Sequence, residues 1–470
     1  MIEAATYSEI RDQLISGQLT CSLVTRSYLE RILKYDNSRV FLEIFPEILD
    51  KAAEADKQIR EGNIGKLTGM VIAIKDNISQ KGRRVSASSS LDDGYEATDN
   101  ATVIDRLLEE GALIIGRVSS DDFMFSNNGH SGELVTVSGT IEAVGAAAAV
   151  AQRYCMAAIS TDSCGSIRLP ASSCGVFGIK PTFGRVPRHG LISIVPSFDQ
   201  IGPIARNNDD LLRILEVISG RDGDDIYSSG NQTPDFGNQR IFERKKTKIV
   251  CLSDFLYLPA LAEEVRQRVL EVMQILQDEG VSVSTEAFGY VEQVLPVYYA
   301  LSSCEASSTL SRFHGVIPGR NSEVCDQEVE SLPGNEIRKR ILAGTYILSN
   351  EKYREYFGQA GKIRKLLMQR MAELFGKYDF VLLPVAGNVA FSHPSTGDPL
   401  SLLEEDRFTV LANLTGLPAI SIPAGRSSNG VPFGIQLLGP AFCENNLLQA
   451  SGIFQAAAAR HFDMNENKIL

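Results

Sequence analysis

Short apolar runs recur along this chain and alternate with segments of helical periodicity, which limits the folds open to it. Met70 to Ile74 form an unbroken apolar run of strand length that ends at Lys75, and Ala112 to Ile115 form another after the helix-like stretch VIDRLLEEG. A strand without polar positions must be covered on both faces, because its side chains point alternately to the two sides. The alternation predicts an α/β protein with a mixed central β-sheet covered by helices on both faces.

Later segments extend the same pattern. TKIVCLSD, AEEVRQRVLEVMQILQDEG and VSVS predict a strand, a helix that stops at Gly280 and a second strand, while FVLLP, LPAISIP and FGIQLLG predict three more strands. Residues 143–151, AVGAAAAVA, have almost no bulk and no charge, which predicts a buried helix that approaches neighbouring backbone closely.

Two amphipathic helices are predicted near the start of the chain. Residues 20–34 open with Thr20 as a cap, and Leu23, Tyr28, Ile32 and Leu33 are predicted to form the apolar face. A second helix is predicted from Ile48 to Arg60.

No internal repeat, low-complexity tract or long linker divides the sequence, so residues 1–470 are expected to form a single domain. The stretch from Gly220 to Glu243 is polar and contains several Gly and Asp residues. It is predicted to be an excursion on the surface of that domain.

The composition argues against several classes of protein. With 46 Lys and Arg against 58 Asp and Glu, the net charge is −12, so no direct nucleic-acid patch is indicated and attraction to anionic lipid is not expected. The start, MIEAATYSEIRDQL, lacks the apolar stretch of a secretory signal, and the interpretation is a cytoplasmic protein without a membrane span. The 8 Cys include no CxxC pair and the 5 His no HExxH motif, so neither a metal site nor a disulfide framework is indicated.

Lys75 and Ser166 are the residues whose settings suggest chemistry. A lysine at the end of a buried strand either extends its amine to the surface or is desolvated, which lowers its pKa and suits a general base. Ser166 lies in the small-residue loop DSCGSIRLPA, where backbone amides can converge on an oxyanion, although turn serines also commonly bond their own backbone. The chain has no GxSxG motif and no histidine near Ser166, so lysine is the available base for a serine nucleophile.

Several longer stretches carry a family likeness. GMVIAIKDNI, STDSCGSIRLPASSCGVFGIKPTFGRVPRHGLI and SFDQIGPIAR resemble, in that order, the motifs of the amidase signature family of serine hydrolases. LPVYYALSSCEASSTLSRFHGV, EIRKRILAGTYILS and DPLSLLEEDRFTVLANLTGLPAISIP resemble one branch of that family, the A subunits of glutamyl-tRNA(Gln) or aspartyl-tRNA(Asn) amidotransferases. The resemblance covers residues 20–456 and is strongest between 65 and 205.

The resemblance implies the amidase signature fold and a triad in which Lys75 draws a proton from the nucleophile Ser166 through a bridging serine. It also implies oxyanion donors among the backbone amides around Ser163, Cys164 and Gly165. Neither a cofactor nor a metal is implied.

For the branch, the resemblance implies glutamine as the amide substrate and B and C amidotransferase subunits as partners. Arg340 and Asp406 fall on the residues that hold the carboxylate and the amino group of glutamine. Opposite charges of this kind suit a zwitterion.

The chain departs from the family at the bridging serine. The family spacing from Ser166 leads to Glu142, or to Ile141 with a one-residue gap, and the nearest serine is Ser138. Cys164 stands where the family has glycine. Glu142 either accepts the proton of Ser166 itself or forms an ion pair with Lys75 and leaves the serine unactivated.

Two functions follow from these observations. The first is an amidase that releases ammonia from an amide through a serine acyl-enzyme, with the glutamine side chain as the substrate implied by resemblance. The second is a catalytically silent homologue that keeps the fold for binding, scaffolding or regulation. The intact DSCGSIRLPA loop favours the first, and the missing bridging serine favours the second.

Overall fold

The structure is a computed structural model that describes residues 2, 5–36, 40–87, 95–119, 135–136, 139–140, 145–231, 244–311, 335–389, 404–428 and 430–461. Its helices, in chain order, are α1 Tyr7–Ile15, α2 Cys21–Tyr35, α3 Ile48–Arg60, α4 Thr102–Glu109, α5 Gly145–Ala151, α6 Arg168–Cys174, α7 Asn208–Ile218, α8 Ser253–Leu256, α9 Glu263–Asp278, α10 Val291–Leu310, α11 Asn335–Leu348, α12 Phe357–Phe375, α13 Val410–Thr415 and α14 Glu444–His461. Its strands are β1 Phe41–Ile44, β2 Val71–Lys75, β3 Arg84–Val85, β4 Tyr95–Glu96, β5 Leu113–Val118, β6 Val135–Thr136, β7 Gly139–Thr140, β8 Ala157–Asp162, β9 Phe177–Lys180, β10 Gln200–Ala205, β11 Lys248–Leu252, β12 Ser282–Glu286, β13 Phe380–Pro384, β14 Ala419–Arg426 and β15 Pro432–Leu438.

A mixed sheet of 11 strands organises the described part of the chain, and β3–β4 and β6–β7 form two further two-stranded sheets. The strands of the large sheet lie in the order β1-β5-β2-β8-β10-β9-β14-β15-β13-β11-β12. β2 is parallel to both β5 and β8, β11 is parallel to β12 and β13, and the remaining pairs are antiparallel. The predicted mixed α/β architecture is therefore confirmed.

Burial along the central strands shows that both faces of the sheet are covered. Every residue of β2, β8, β10 and β15 is buried, although successive side chains point to opposite faces. The predicted small-residue helix is α5, and all of its residues are buried. A Cβ on Gly145 would lie 2.3 Å from the carbonyl oxygen of Ser119, so the helix approaches its neighbours closely because it carries so little bulk.

Helix α2 forms where it was predicted, but its buried face differs from the prediction. Thr20 caps the helix by accepting a hydrogen bond from the Leu23 amide. Val24, Tyr28 and Ile32 are buried, whereas Leu23 is 49% exposed and Leu33 is 80% exposed. Residues four apart share a helical face, and this series defines the face that meets the core, so the prediction was wrong for the two leucines.

The second half of the sheet reaches the first half through the C-terminal hairpin. The predicted strand, helix and strand are β11, α9 and β12, and Gly280 follows the helix with φ of +86°. The hairpin strands β14 and β15 lie between β9 and β13. The sheet is thus continuous only because residues 419–438 are inserted into its middle.

Residues 220–231 of the predicted excursion are mostly exposed and are anchored to the rest of the molecule by Asp225 and Tyr227. Asp225 is 9% exposed and its carboxylate accepts a hydrogen bond from the Arg188 amide. The ring of Tyr227 lies under the Arg188 guanidinium, 4.7 Å from its centre. Residues 232–243 lie outside the described residues, and the single-domain prediction stays a prediction.

In the part of the chain that the structure describes, none of the helices combines the length and apolar character needed to cross a bilayer.

Candidate active site

The predicted lysine and serine lie at the same edge of the sheet. Strand β2 ends at Lys75 and is parallel to β8, with Ile74 in register with Ile159. Strand β8 ends at Asp162, and the loop that follows carries Ser166. Since adjacent parallel strands end at one edge, both residues belong to that edge. Lys75 is only 6% exposed, so its side chain does not extend to the surface.

Asp162 stabilises the loop that carries Ser166 by hydrogen bonds. Its carboxylate accepts hydrogen bonds from the amides of Gly165 (2.9 Å) and Ile167 (3.3 Å). The Arg168 guanidinium donates to both of its oxygens, at 3.0 and 3.1 Å. Burial opposes ionisation of Asp162, but the charge and hydrogen bonds of Arg168 outweigh it and lower the pKa of Asp162 to about 2. The loop is therefore built around an ionised carboxylate.

Arg168 in turn ties this loop to the C-terminal part of the chain. It is fully buried and donates to the carbonyl oxygen of Thr409 (2.9 Å), to Oε1 of Gln436 (2.9 Å) and to Oδ1 of Asn413 (2.7 Å). Asn413 also donates to Asp162, at 2.8 Å. A buried ion pair costs desolvation free energy that only complete hydrogen bonding offsets, and these partners supply it.

Gly165 has a backbone conformation that other residues rarely adopt, with φ of +119°. A Cβ at this position would lie 2.6 Å from Oγ1 of Thr409, whose hydroxyl donates to the carbonyl oxygen of Cys164. The prediction named the amides of Ser163, Cys164 and Gly165 as oxyanion donors. In the structure the Gly165 amide donates to Asp162 instead. For the amides of Ser163 and Cys164, the described residues supply no acceptor.

A second buried carboxylate, Asp199, supports the other side of the loop. It accepts hydrogen bonds from the hydroxyls of Ser163 and Ser193 (the latter at 2.6 Å), and from the amides of Ile194 (2.9 Å) and Val195 (3.0 Å). Burial raises the pKa of Asp199, although these hydrogen bonds favour its ionised form. The loop is thus fixed to the segment that precedes β10.

Arg340 and Asp406 meet around a tyrosine. The Arg340 guanidinium lies over the ring of Tyr299, 4.0 Å from its centre, and donates to the Ser302 hydroxyl at 2.8 Å. The Tyr299 hydroxyl donates to Oδ2 of Asp406 at 2.7 Å. Burial would lower the pKa of Arg340, but Tyr299, Tyr298 and Asp406 together raise it. Arg340 is only 4% exposed, and its guanidinium is permanently charged. A buried cation and the carboxylate of Asp406 therefore both contact Tyr299.

Cys164 brings this charged pair close to the serine loop. Burial raises the pKa of the Cys164 thiol to about 12, with Asp406 raising it further and Arg340 lowering it. The contacts agree, because the Thr409 hydroxyl donates to the carbonyl oxygen of Cys164, two positions before Ser166, and lies 3.3 Å from that of Asp406. The predicted site residues Cys164, Arg340 and Asp406 share one region of the structure.

Lys180, the last residue of β9, is a second buried lysine. It is 1% exposed, and its ammonium donates to the carbonyl oxygen of Pro181 at 2.9 Å. Burial, reinforced by the nearby Arg168 charge, lowers the pKa of Lys180 to about 7. Strand β9 runs in the same direction as β2 and β8, because both β8 and β9 are antiparallel to β10, so Lys180 ends at the same edge of the sheet as Lys75.

Part of the prediction cannot be placed. Glu142, Ile141 and Ser138, the candidates for the bridging position, lie outside the described residues. Across the described ranges, no group of three or more His, Cys, Asp or Glu side chains is arranged to hold a metal ion.

Residues that the sequence reasoning missed hold the loop in place: Asp162, Arg168, Asp199, Thr409 and Asn413. A signal existed for the first two, because an aspartate that ends an apolar strand six residues before an arginine suggests a buried pair. Thr409 and Asn413 are more than 240 residues from their partners in sequence and carry no local signal.

The family model for Amidase matches residues 23–448, so the chain belongs to the amidase family. It is accordingly an enzyme of the class that acts on amide C–N bonds.

Named relatives narrow the comparison within that family. The A subunit of glutamyl-tRNA(Gln) amidotransferase from Chlorobium phaeobacteroides is 34% identical, with 96% of this chain and 98% of the relative covered. The protein of the same name from Protochlamydia amoebophila is 36% identical, with 96% of each chain covered.

Solved structures agree with these relatives. The crystal structure of the glutamyl-tRNA(Gln) amidotransferase A subunit from Thermotoga maritima is 30% identical, has a TM-score of 0.79, and covers 100% of this chain and 97% of that one. A bacterial aryl acylamidase of the amidase signature family has a TM-score of 0.84 at 20% identity over 99% and 98% of the two chains, which shows the shared fold alone. The comparisons favour an enzyme and give no support to a catalytically silent homologue.

Proposed function

We propose that the protein hydrolyses the side-chain amide of glutamine and provides the ammonia-releasing component, the A subunit, of a tRNA-dependent amidotransferase. The observation that carries the proposal is the proximity of two features that the sequence separates. The Arg340–Asp406 pair, suited to a zwitterion, adjoins the loop that carries Ser166, because the Thr409 hydroxyl bonds to the carbonyl oxygens of both Cys164 and Asp406. A glutamine held by its charged ends would extend its amide toward that loop.

In the proposed reaction, the Ser166 hydroxyl attacks the amide carbon of glutamine. The proton passes from Ser166 to Lys75, directly or through a group between them, and then to the leaving nitrogen, so that ammonia departs as the acyl-serine ester forms. Water then attacks the ester and releases glutamate. The amides of Ser163 and Cys164 stabilise the oxyanion, and Arg340 and Asp406 bind the carboxylate and the amino group of the substrate.

We propose further that the ammonia serves a partner. The relatives' names refer to tRNA, and a chain with a net charge of −12 is compatible with RNA that is bound by other subunits. B and C amidotransferase subunits are the proposed partners, and the cytoplasm is the proposed compartment.

Ammonia release from glutamine tests the catalytic proposal directly. Ser166→Ala should abolish release, because it removes the nucleophile. Ser421→Ala is the matched control, since it deletes a buried hydroxyl of β14 that has no hydrogen-bond partner among the described residues. Equal rates for the wild type and Ser166→Ala would refute the proposal.

Two further variants separate recognition from proton transfer. Arg340→Ala should reduce the rise in melting temperature that glutamine causes, and an unchanged rise would exclude Arg340 from the ligand site. Glu142→Gln should abolish activity if the carboxylate replaces the bridging serine. Full activity in that variant would show that the Glu142 carboxylate does not take the role of the bridging serine.

A further inference from the structure

Cys164 stands where the family resemblance places a glycine, yet its backbone does not need one. The described non-glycine residues with positive φ are Ala87, Arg153 and Phe442, so Cys164 lies in a conformation that ordinary residues adopt. The side chain is therefore accommodated without backbone strain. What it changes is the space around the loop, because a CH₂–SH group replaces a hydrogen atom.

Cys164 lies close to the charged pair, because the Thr409 hydroxyl is within hydrogen-bonding distance of the carbonyl oxygens of both Cys164 and Asp406. The neighbours of its thiol are Asp406 and Arg340, whose charges act on it, and the Tyr298 side chain. Cys164 is partly exposed, whereas Tyr298 is fully buried. Cys164 thus lies at the border of the hydrophobic core, against a buried ring.

The ring of Tyr298 is held in place by its neighbours. It lies 5.5 Å from the ring of Phe198 and 5.6 Å from that of Tyr299. The Tyr298 hydroxyl is buried and lies next to the Cys164 thiol. Because the Tyr298 ring is packed on both sides, it cannot move aside for a substrate, since well-packed interiors resist added volume.

We propose that Cys164 determines substrate specificity by setting the width of the acyl pocket between Ser166 and the Arg340–Asp406 pair, so that only slim, unbranched acyl chains such as that of glutamine pass. The inference rests on the proposed function, because it takes the direction of the substrate from it. The thiol remains protonated at neutral pH, so it contributes bulk rather than charge.

The width of the pocket can be tested with two amides that differ by one methyl group on the acyl chain. Glutamine and 4-methylglutamine carry the same charged ends and the same leaving group, so their ratio of kcat/KM isolates the chain. One methyl group in a pocket changes kcat/KM by about 10- to 200-fold. The wild type should therefore favour glutamine by at least about tenfold.

Two variants of Cys164 and one control are compared on the full-length protein. Cys164→Gly should reduce the preference for glutamine by about tenfold or more, and Cys164→Ala should give an intermediate ratio. Cys164→Ala also keeps the test valid if the added flexibility of glycine prevents folding. Cys443→Ala removes another partly exposed thiol, next to Glu444, and should leave the ratio unchanged.

Binding supplies a second readout that does not require turnover. In the Ser166→Ala background, thermal shifts give the ratio of affinities for the same two compounds. Unchanged ratios in both Cys164 variants, with glutamine still bound, would overturn the inference and leave the proposed function standing. Neither hydrolysis nor binding of glutamine by the wild type would overturn the proposed function and the inference with it.

Discussion

Replacing Asp162 by asparagine tests whether the buried ion pair is what holds the serine loop. Asparagine has the same shape, but only one acceptor oxygen, and its NH₂ group would face donors that now bond to a carboxylate: the amides of Gly165 and Ile167, the Arg168 guanidinium and the Asn413 side chain. Breaking a buried pair by removing one charge costs about 3–5 kcal/mol. The unfolding entropy of 470 residues is about 1 kcal/mol per degree, so the melting temperature should fall by about 3–5 °C.

The same change should slow the reaction while the protein is still folded. A loop that moves by about 1 Å costs about 100-fold in rate, and we expect ammonia release to fall by about 10- to 100-fold at 25 °C. The matched control is Glu444→Gln, which breaks the buried pair with Arg185 (3.3 Å) away from the serine loop. It should cost comparable stability and leave the rate of ammonia release nearly unchanged.

Acid denaturation provides an independent check. The folded-state pKa of Asp162, about 2, lies below its ordinary value of 3.8. Its ionisation therefore contributes about 2–3 kcal/mol that is fully present above pH about 4 and is lost as the pH falls through about 2. In Asp162→Asn this part of the pH dependence should disappear. Full activity in Asp162→Asn, or an equal loss of activity in Glu444→Gln, would refute the reasoning.

Other substitutions probe the surroundings of the loop. Gly165→Ala should abolish ammonia release, because the new methyl group would lie 2.6 Å from Thr409. The control Gly430→Ala, also at positive φ but with open space around it, should lose only about 1 kcal/mol of stability and no activity. Equal activities of the two variants would contradict the argument. Ser302→Ala removes the hydroxyl that accepts from Arg340 and should raise the Kd for glutamine by about fivefold in a calorimetric titration, and an unchanged Kd would show that Arg340 needs no such support. Because the folded-state pKa of Lys180 is about 7 and its ordinary value is 10.5, the unfolded chain binds more protons between these values, so stability should rise with pH across that interval. Denaturant unfolding of Lys180→Met should lack this rise, and a rise equal to that of the wild type would exclude Lys180 as its source.

The sequence predicted the strands best where no polar residue interrupts them. Val71–Lys75 and Phe380–Pro384 form as expected, because a wholly apolar run of that length has few alternatives in a large α/β protein. The wrong face of α2 has a different cause. Its leucines and its buried residues are all apolar, so periodicity alone could not tell which stripe the core would cover.

The candidate site was predictable only in part. Lys75 and Ser166 stand out because each follows an apolar strand, and Arg340 and Asp406 were reached through resemblance rather than through a pattern in the residues. Tyr299, which joins Arg340 to Asp406, gave no signal, since a tyrosine in a helix of this kind usually packs in the core. Contacts between residues far apart in sequence depend on the finished sheet.

The insertion of the C-terminal hairpin into the middle of the sheet has a consequence for biosynthesis. Arg168 emerges from the ribosome 241 residues before Thr409 and 268 residues before Gln436, the groups that it must bond. At about 5–20 residues per second, the loop that carries Ser166 is synthesised roughly 10–50 s before them. A chain interrupted before residue 436 carries its serine without the brace, and we expect such fragments to be inert. Activity is therefore expected only near the end of translation, once Thr409 and Gln436 complete the hydrogen bonds of Arg168.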